Sequence, residues 1–325
     1  MMKKSLAMLL LASLFTLGAC SQKVKTVYEP VPPVYVVEEK TTEVYEKIQN
    51  SVVYIYCENE ETFEAGSGVI FKEDENYVYV MTNKHVVGVM TTFYEETFED
   101  IKVTFFDGTI SSAEFVGSLN ELDIAVIKVS KEVAGEYTVA ETSTNYSIGD
   151  SVVVYGNPLQ IPFVITAGII SNGDSVVDFT SNGLGLYYGI QTDASMNAGN
   201  SGGGLFNMDG ELLGITQGGI SNRNGIGYVI PILYASNVAE RIIMYGQFDL
   251  QEYTFKYVDL KEADVEISPT IECGVYVTEG DLAGKVITHV NGMLIKDSIR
   301  MYMYRYLLND PMVLTYVNPD GSAVE

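Results

Sequence analysis

The sequence predicts a mainly β chain: two successive sets of strands, then a small mixed α/β part. Three observations carry this reading. Short runs rich in Val, Ile, Tyr and Phe, broken by Gly and Asp, recur from about residue 51 to 230. The period then becomes helical over 231–245, with Pro231 before it and Gly246 after it. Beyond 247 strand-like and helix-like segments alternate within fewer than a hundred residues. A chain of 325 residues has room for about two domains.

Taken in order, Lys3 and Lys4 precede an apolar run over 6–17, which is too short to span a bilayer and has the form of a signal peptide at 1–19. Residues 20–42 contain E-P-V-P-P-V at 29–34 and read as an extended tether. The first strand set is expected at 51–56, 68–71, 77–81, 101–106 and 124–129, which fits one small antiparallel barrel. The second is expected at 151–155, 163–171, 175–179, 186–192, 212–216 and 227–230. A helix over 231–245 closes this region, with a boundary near Gln247. In the remainder, strands are expected at 274–277 and 312–317 and around 284–292, and Asp297 or Ser298 caps a helix running to Leu308.

Acidic side chains outnumber basic ones 43 to 19, for a formal net charge of -24. That excess argues against a nucleic-acid partner, which needs basic surface. The acidic stretches 58–61 and 95–100 lack histidine and metal-loop spacing and read as solvated loops. Cys57 and Cys273 fall in different expected domains, so independent thiols are favoured over a bridge.

The segment N-A-G-N-S-G-G-G-L at 197–205 holds one serine among four glycines. A serine hydroxyl attacks only when a base takes its proton and N–H groups receive the oxyanion. Glycines permit the tight turn that converges several N–H groups, yet the nine residues alone fit a surface turn equally well. The chain has two histidines, His85 and His289. His85 follows a strand that ends at Thr82–Asn83, where a scaffold can aim a side chain; packing against Val86 and Val87 is the alternative. His289 falls inside an expected strand and reads as structural or exposed. Asp123 directly abuts the apolar run 124–127, so it is a candidate to orient a histidine, the alternative being a turn cap.

In the order His85, Asp123, Ser201, the chain resembles HtrA/DegP-type serine proteases of the trypsin fold. The resemblance rests on G-S-G-V-I at 66–70, T-N-K-H-V-V at 82–87, D-I-A-V-I-K at 123–128, G-N-P at 156–158 and T-A-G-I-I-S at 166–171. It continues with Q-T-D-A at 191–194, G-N-S-G-G at 199–203 and G-I-G-Y-V-I-P at 225–231. It implies two six-stranded antiparallel barrels over 43–247, with the site in the cleft between them. Ser201 is then the nucleophile, His85 the general base and later acid, and Asp123 the orienting carboxylate. Gly199, Asn200 and Ser201 form the oxyanion hole. Met196 lines the S1 pocket, with Gly214, Ile215 and Thr216 as a neighbouring wall; a flexible apolar Met suits small to medium aliphatic side chains, the alternative being barrel core. Asp193 lies eight residues before the serine and takes the family's structural aspartate position. Ser195 stands where a basic-specific pocket carries its acid, so cleavage after Lys or Arg is not expected.

The resemblance extends, with departures, to 248–325, which is expected to be a reduced or incomplete PDZ-like module. It also makes L-G-A-C at 17–20 similar to a lipobox, in which Cys20 carries the lipid. The expected function is a membrane-anchored, ATP-independent endopeptidase acting on unfolded or misfolded polypeptides. No metal or organic cofactor is implied, and a homotrimer is the family's frequent assembly. The alternative is a catalytically silent lipoprotein of the same fold that binds peptides or senses stress.

Overall fold

The computed structural model describes residues 37–90, 95–158, 161–178, 186–219, 225–248, 252–307 and 312–324. The expected signal peptide, Cys20 and the proline-bearing part of the tether lie outside the described residues. The chain is helical before the tether's expected end at 42: α1 spans Val37–Ile48. Val44 and Ile48, one helical turn apart, are buried in the main core, which gives a short amphipathic segment its reason to be helical.

The first barrel comprises β1 (Val52–Glu58), β2 (Phe63–Glu73) and β3 (Tyr77–Thr82). A single-turn helix α2 (Lys84–Val87) and a small hairpin, β4 (Gly88–Met90) and β5 (Glu95–Thr97), follow. Thus part of the acidic stretch at 95–100 is strand rather than loop. The barrel is completed by β6 (Asp100–Thr104), β7 (Ile110–Leu119) and β8 (Ile124–Ser130), in the closed order β1-β2-β3-β8-β7-β6. Sequence reading omits β7, whose I-S-S-A-E-F-V-G-S-L is largely half-exposed and interrupted by serines.

The second barrel contains β9 (Ser151–Gly156), β10 (Val164–Asp178), β11 (Leu186–Thr192), β12 (Gly204–Asn207), β13 (Leu212–Gly219) and β14 (Gly227–Pro231). It closes in the order β10-β11-β14-β13-β12-β9. The two strands expected at 163–171 and 175–179 are one strand, β10, bent by register shifts between Ile170 and Ser175. The four-residue β12 was not expected because glycines and serine dominate the sequence before it. With these changes, the structure is mainly β with two closed six-stranded antiparallel barrels, as expected.

Helix α3 (Ile232–Tyr245) ends at Gly246, whose φ of 76° and N–H bond to Ile242 O form a left-handed cap. Its apolar face, with Ala235, Val238, Ala239 and Ile242 buried, packs across β7 and β8, so the end of the second barrel braces the first. Beyond it, β15 (Lys256–Asp259), β16 (Val275–Glu279), β17 (Val286–Val290), β18 (Met293–Leu294) and β19 (Leu314–Val317) form a third sheet. Together with helix α4 (Ser298–Tyr304) it fits a PDZ-like module.

The boundary near 247 does not separate the cores. Met303 and Tyr306 are fully buried in the cluster that fills the space between the barrels and α3. Tyr188 of β11 donates to Asp297 at 2.6 Å, and the Arg300 guanidinium lies 4.5 Å from the Tyr188 ring centre. His289 is half-buried in β17 beside Thr288. Cys57 and Cys273 are both free. Burial, then the charges of Glu64 and Asp100, push the Cys57 thiol up to about 12, so it stays a protonated core group.

Candidate active site

His85 sits in α2, directly after β3, and Asp123 in the turn that feeds β8. Because β3 and β8 are adjacent and pair Thr82 with Ala125, the two residues meet at one barrel rim. His85 Nδ1 and Asp123 Oδ2 are 2.7 Å apart, and the His85 backbone N–H donates to Asp123 Oδ1 at 3.0 Å. The carboxylate is completely buried, whereas the imidazole is 36% exposed. Asp123 has φ of 54°, an uncommon conformation for a residue other than glycine. Lys84 N–H and the Asn83 side chain both donate to its carbonyl oxygen, which holds that turn.

Burial pulls the imidazole pKa down. The Asp123 charge, its hydrogen bond and the more distant Glu64 outweigh that effect and leave His85 above the ordinary 6.5. The ring therefore takes a proton readily, and the buried carboxylate fixes which nitrogen faces outward.

Ser201 comes from the opposite barrel, in the loop before β12. Its N–H and that of Gly199 donate to no protein acceptor among the described residues. The loop begins with a turn closed by Asn200 N–H to Asn197 O at 3.0 Å. Gly199, with φ of 98°, occupies the third position, where a type II turn requires positive φ. The Asn200 carbonyl accepts the Thr216 hydroxyl and the Gly203 N–H. A trans peptide points its N–H opposite its C=O, so these bonds aim the Ser201 N–H away from the barrel wall. The Ser201 hydroxyl itself donates to Gln217 O at 3.1 Å, and no hydrogen bond joins it to His85.

Gly204 is the first residue of β12 and is buried, so the unusual third glycine of the run is not loop. A Cβ there would stand 2.3 Å from the Phe206 ring, which fills the space a side chain would take.

Met196 is half-buried against the core of the second barrel, and a Cβ on Gly227 would meet its sulfur at 2.3 Å. Gly214 faces the backbone of Ile230, Ile215 is fully buried in the core, and the Thr216 hydroxyl is committed to Asn200. The part of β13 beside the serine hydroxyl is one step further along, Gln217 and Gly218. Asp193 accepts the Ile169 N–H at 2.7 Å and so holds β10 against the loop.

Three residues of the site escaped sequence reading. The Gln217 side-chain amide donates to Asp123 Oδ2 at 3.3 Å and its oxygen accepts the Tyr187 hydroxyl. Burial, then the Asp123 charge, push the Tyr187 phenol well above its ordinary range, so it remains a neutral donor. Ser67 lies under the loop that carries Ser201. Only the G-S-G pattern around Ser67 marked any of these positions.

A trypsin-like peptidase domain model matches residues 66–215. The chain is 36% identical over 203 residues to the serine protease Do-like HtrA of Bacillus subtilis, covering 61% of this chain and 43% of that one. It is 30% identical over 287 residues to the protein of that name from Lactococcus lactis subsp. cremoris, covering 79% of this chain and 69% of that one. Against a Staphylococcus aureus serine protease HtrA-like protein the figures are 30% identity, 73% of this chain and 33% of the relative. The chain thus spans less than half of some relatives and about two thirds of others. A likeness of this depth, running through most of this chain and two thirds of the Lactococcus protein, places the chain in the HtrA family of serine proteases.

Proposed function

We propose that the protein is a serine endopeptidase that cleaves unfolded or damaged polypeptides through an acyl-enzyme, held at the outer face of a membrane by lipid on Cys20. The observation that carries the catalytic reading is the His85 imidazole held by the buried Asp123 carboxylate, together with a serine loop whose two N–H donors have no protein acceptor among the described residues.

In this reading the Ser201 hydroxyl turns from Gln217 O to His85 and attacks the peptide carbonyl while His85 accepts its proton. Asp123 stabilises the imidazolium, and the Gly199 and Ser201 N–H groups receive the oxyanion. His85 returns the proton to the leaving amine; water then enters by the same steps in reverse. Met196 beside Gly227 supports an aliphatic preference for the residue before the cut. No ATP is required, because hydrolysis of a peptide is itself downhill. Among the described residues no helix is long and apolar enough to cross a membrane, so the anchoring proposal stands on the Cys20 motif.

A second reading, a silent peptide-binding member of the family, is favoured by the resting hydrogen bond from Ser201 to Gln217. A fluorophosphonate probe decides between the two. Labelling of the wild type that disappears in Ser201→Ala supports the enzyme, and absence of labelling with or without unfolded substrate supports the binding protein.

A further inference from the structure

We propose that Ser67 is a positioning residue for the oxyanion hole: a first-barrel hydroxyl that holds the nucleophile loop of the second barrel in its anion-receiving form. The inference rests on the serine-protease reading above and extends it to a residue outside the triad.

Ser67 lies in β2 and is completely buried. Its hydroxyl accepts the Asn157 backbone N–H at 2.9 Å and the Asn157 side-chain amide at 3.1 Å. Both partners can only donate, so the hydroxyl proton is left for the third neighbour, Gly199 O, at 2.7 Å. Asn157 is itself immobile. It is fully buried, and its amide also donates to Val53 O at 2.9 Å while its oxygen accepts the Phe163 N–H at 2.8 Å.

The backbone of Ser67 adds a second hold. Its N–H donates to Ser201 O at 2.9 Å, and its carbonyl accepts the Thr82 hydroxyl at 2.7 Å, two residues before α2. Ser67 therefore grips the carbonyls of Gly199 and Ser201, the two residues whose N–H groups are the expected oxyanion donors. The Gly199–Asn200 peptide, fixed through Gly199 O, closes the type II turn. The hole is thus assembled from both barrels, and Ser67 is the junction.

The test compares Ser67→Ala and the weaker-donor Ser67→Cys with wild type. The readouts are kcat and KM on an aliphatic peptide substrate, inhibition by a peptidyl boronic acid and thermal unfolding. The boronate forms a tetrahedral anionic adduct that needs the hole, whereas ground-state substrate binding does not. Expected for Ser67→Ala is a kcat loss of about 10²-fold at unchanged KM, with boronate inhibition weakened by a similar factor and Ser67→Cys intermediate. Val69→Ala, a core truncation on the same strand, lowers the unfolding temperature and leaves kcat within about twofold, since it touches no loop carbonyl. Should Ser67→Ala fail to fold, Ser67→Cys decides. A folded Ser67 variant with wild-type kcat and boronate affinity, beside an inactive Ser201→Ala, overturns this inference alone. Hydrolysis retained by Ser201→Ala overturns the protease reading instead.

Discussion

Gln217 bridges Asp123 and Tyr187: its amide donates to the Asp123 carboxylate at 3.3 Å and its oxygen accepts the buried phenol. The bridge gives Asp123 Oδ2 a second donor besides His85, so the carboxylate cannot rotate without breaking two bonds. Gln217→Leu removes the bridge and leaves the Tyr187 hydroxyl unpaired in the core. The expected cost is about 1–3 kcal/mol of stability, with kcat reduced. Adding Tyr187→Phe removes the orphaned hydroxyl, so thermal unfolding of the double variant should recover while kcat does not.

The pH profile tests the His85–Asp123 pair. The proposed mechanism needs neutral His85, and its pKa lies above the ordinary 6.5, so kcat/KM is expected to rise with pH along an acidic limb centred above that value. In Asp123→Asn the burial that lowers the pKa remains while the carboxylate charge that raises it most is lost, leaving only the more distant Glu64 charge to oppose burial. The limb therefore moves to lower pH. The plateau falls by about 10⁴-fold if the neutral amide also selects the wrong tautomer, as in other triads. A limb that stays in place argues that His85 is not the titrating base.

Gly204→Ala places a methyl group 2.3 Å from the Phe206 ring, which is fully buried. A loss of about 1–3 kcal/mol is expected from overpacking. Pairing it with Phe206→Leu makes room, so the double variant should be more stable than the sum of its parts. Strict additivity in denaturant melts would show that Phe206 is not what excludes a side chain there.

Cys20→Ser tests the proposed anchor. Wild-type protein should fractionate with membranes and the variant with the soluble fraction, because acyl chains supply the apolar anchor while a chain of formal net charge -24 is repelled by anionic headgroups. Equal membrane partitioning of the two ends the lipid proposal.

How far the sequence reaches depends on the range of the interaction. His85 and Asp123 stand at strand ends that runs of Val, Ile and Tyr announce locally, whereas Ser201 precedes a strand that no such run announces. Both barrels, helix α3 and the triad candidates follow from such patterns together with the ordered motifs. Strands β7 and β12 do not, because serines interrupt the alternation of β7 and β12 is only four residues long, although each pairs with a strand next to it in sequence. The glycine run shows the same limit. Its sequence suggests one loose loop, but Gly204 belongs to a strand and is small because Phe206 packs there.

The sequence by itself determined the strand-rich class, the chemical types needed for acyl transfer and the order in which they occur, since each is set by composition and local period. Only the tertiary structure decided what holds them. Ser67, Thr216 and Gln217 act across 134, 16 and 94 residues of chain separation, on Ser201, Asn200 and Asp123 respectively. It also decided that Met303 and Tyr306 of the third module share the protease core. Hydrogen bonds and burial between distant segments depend on closing both barrels, and no local pattern encodes that closure.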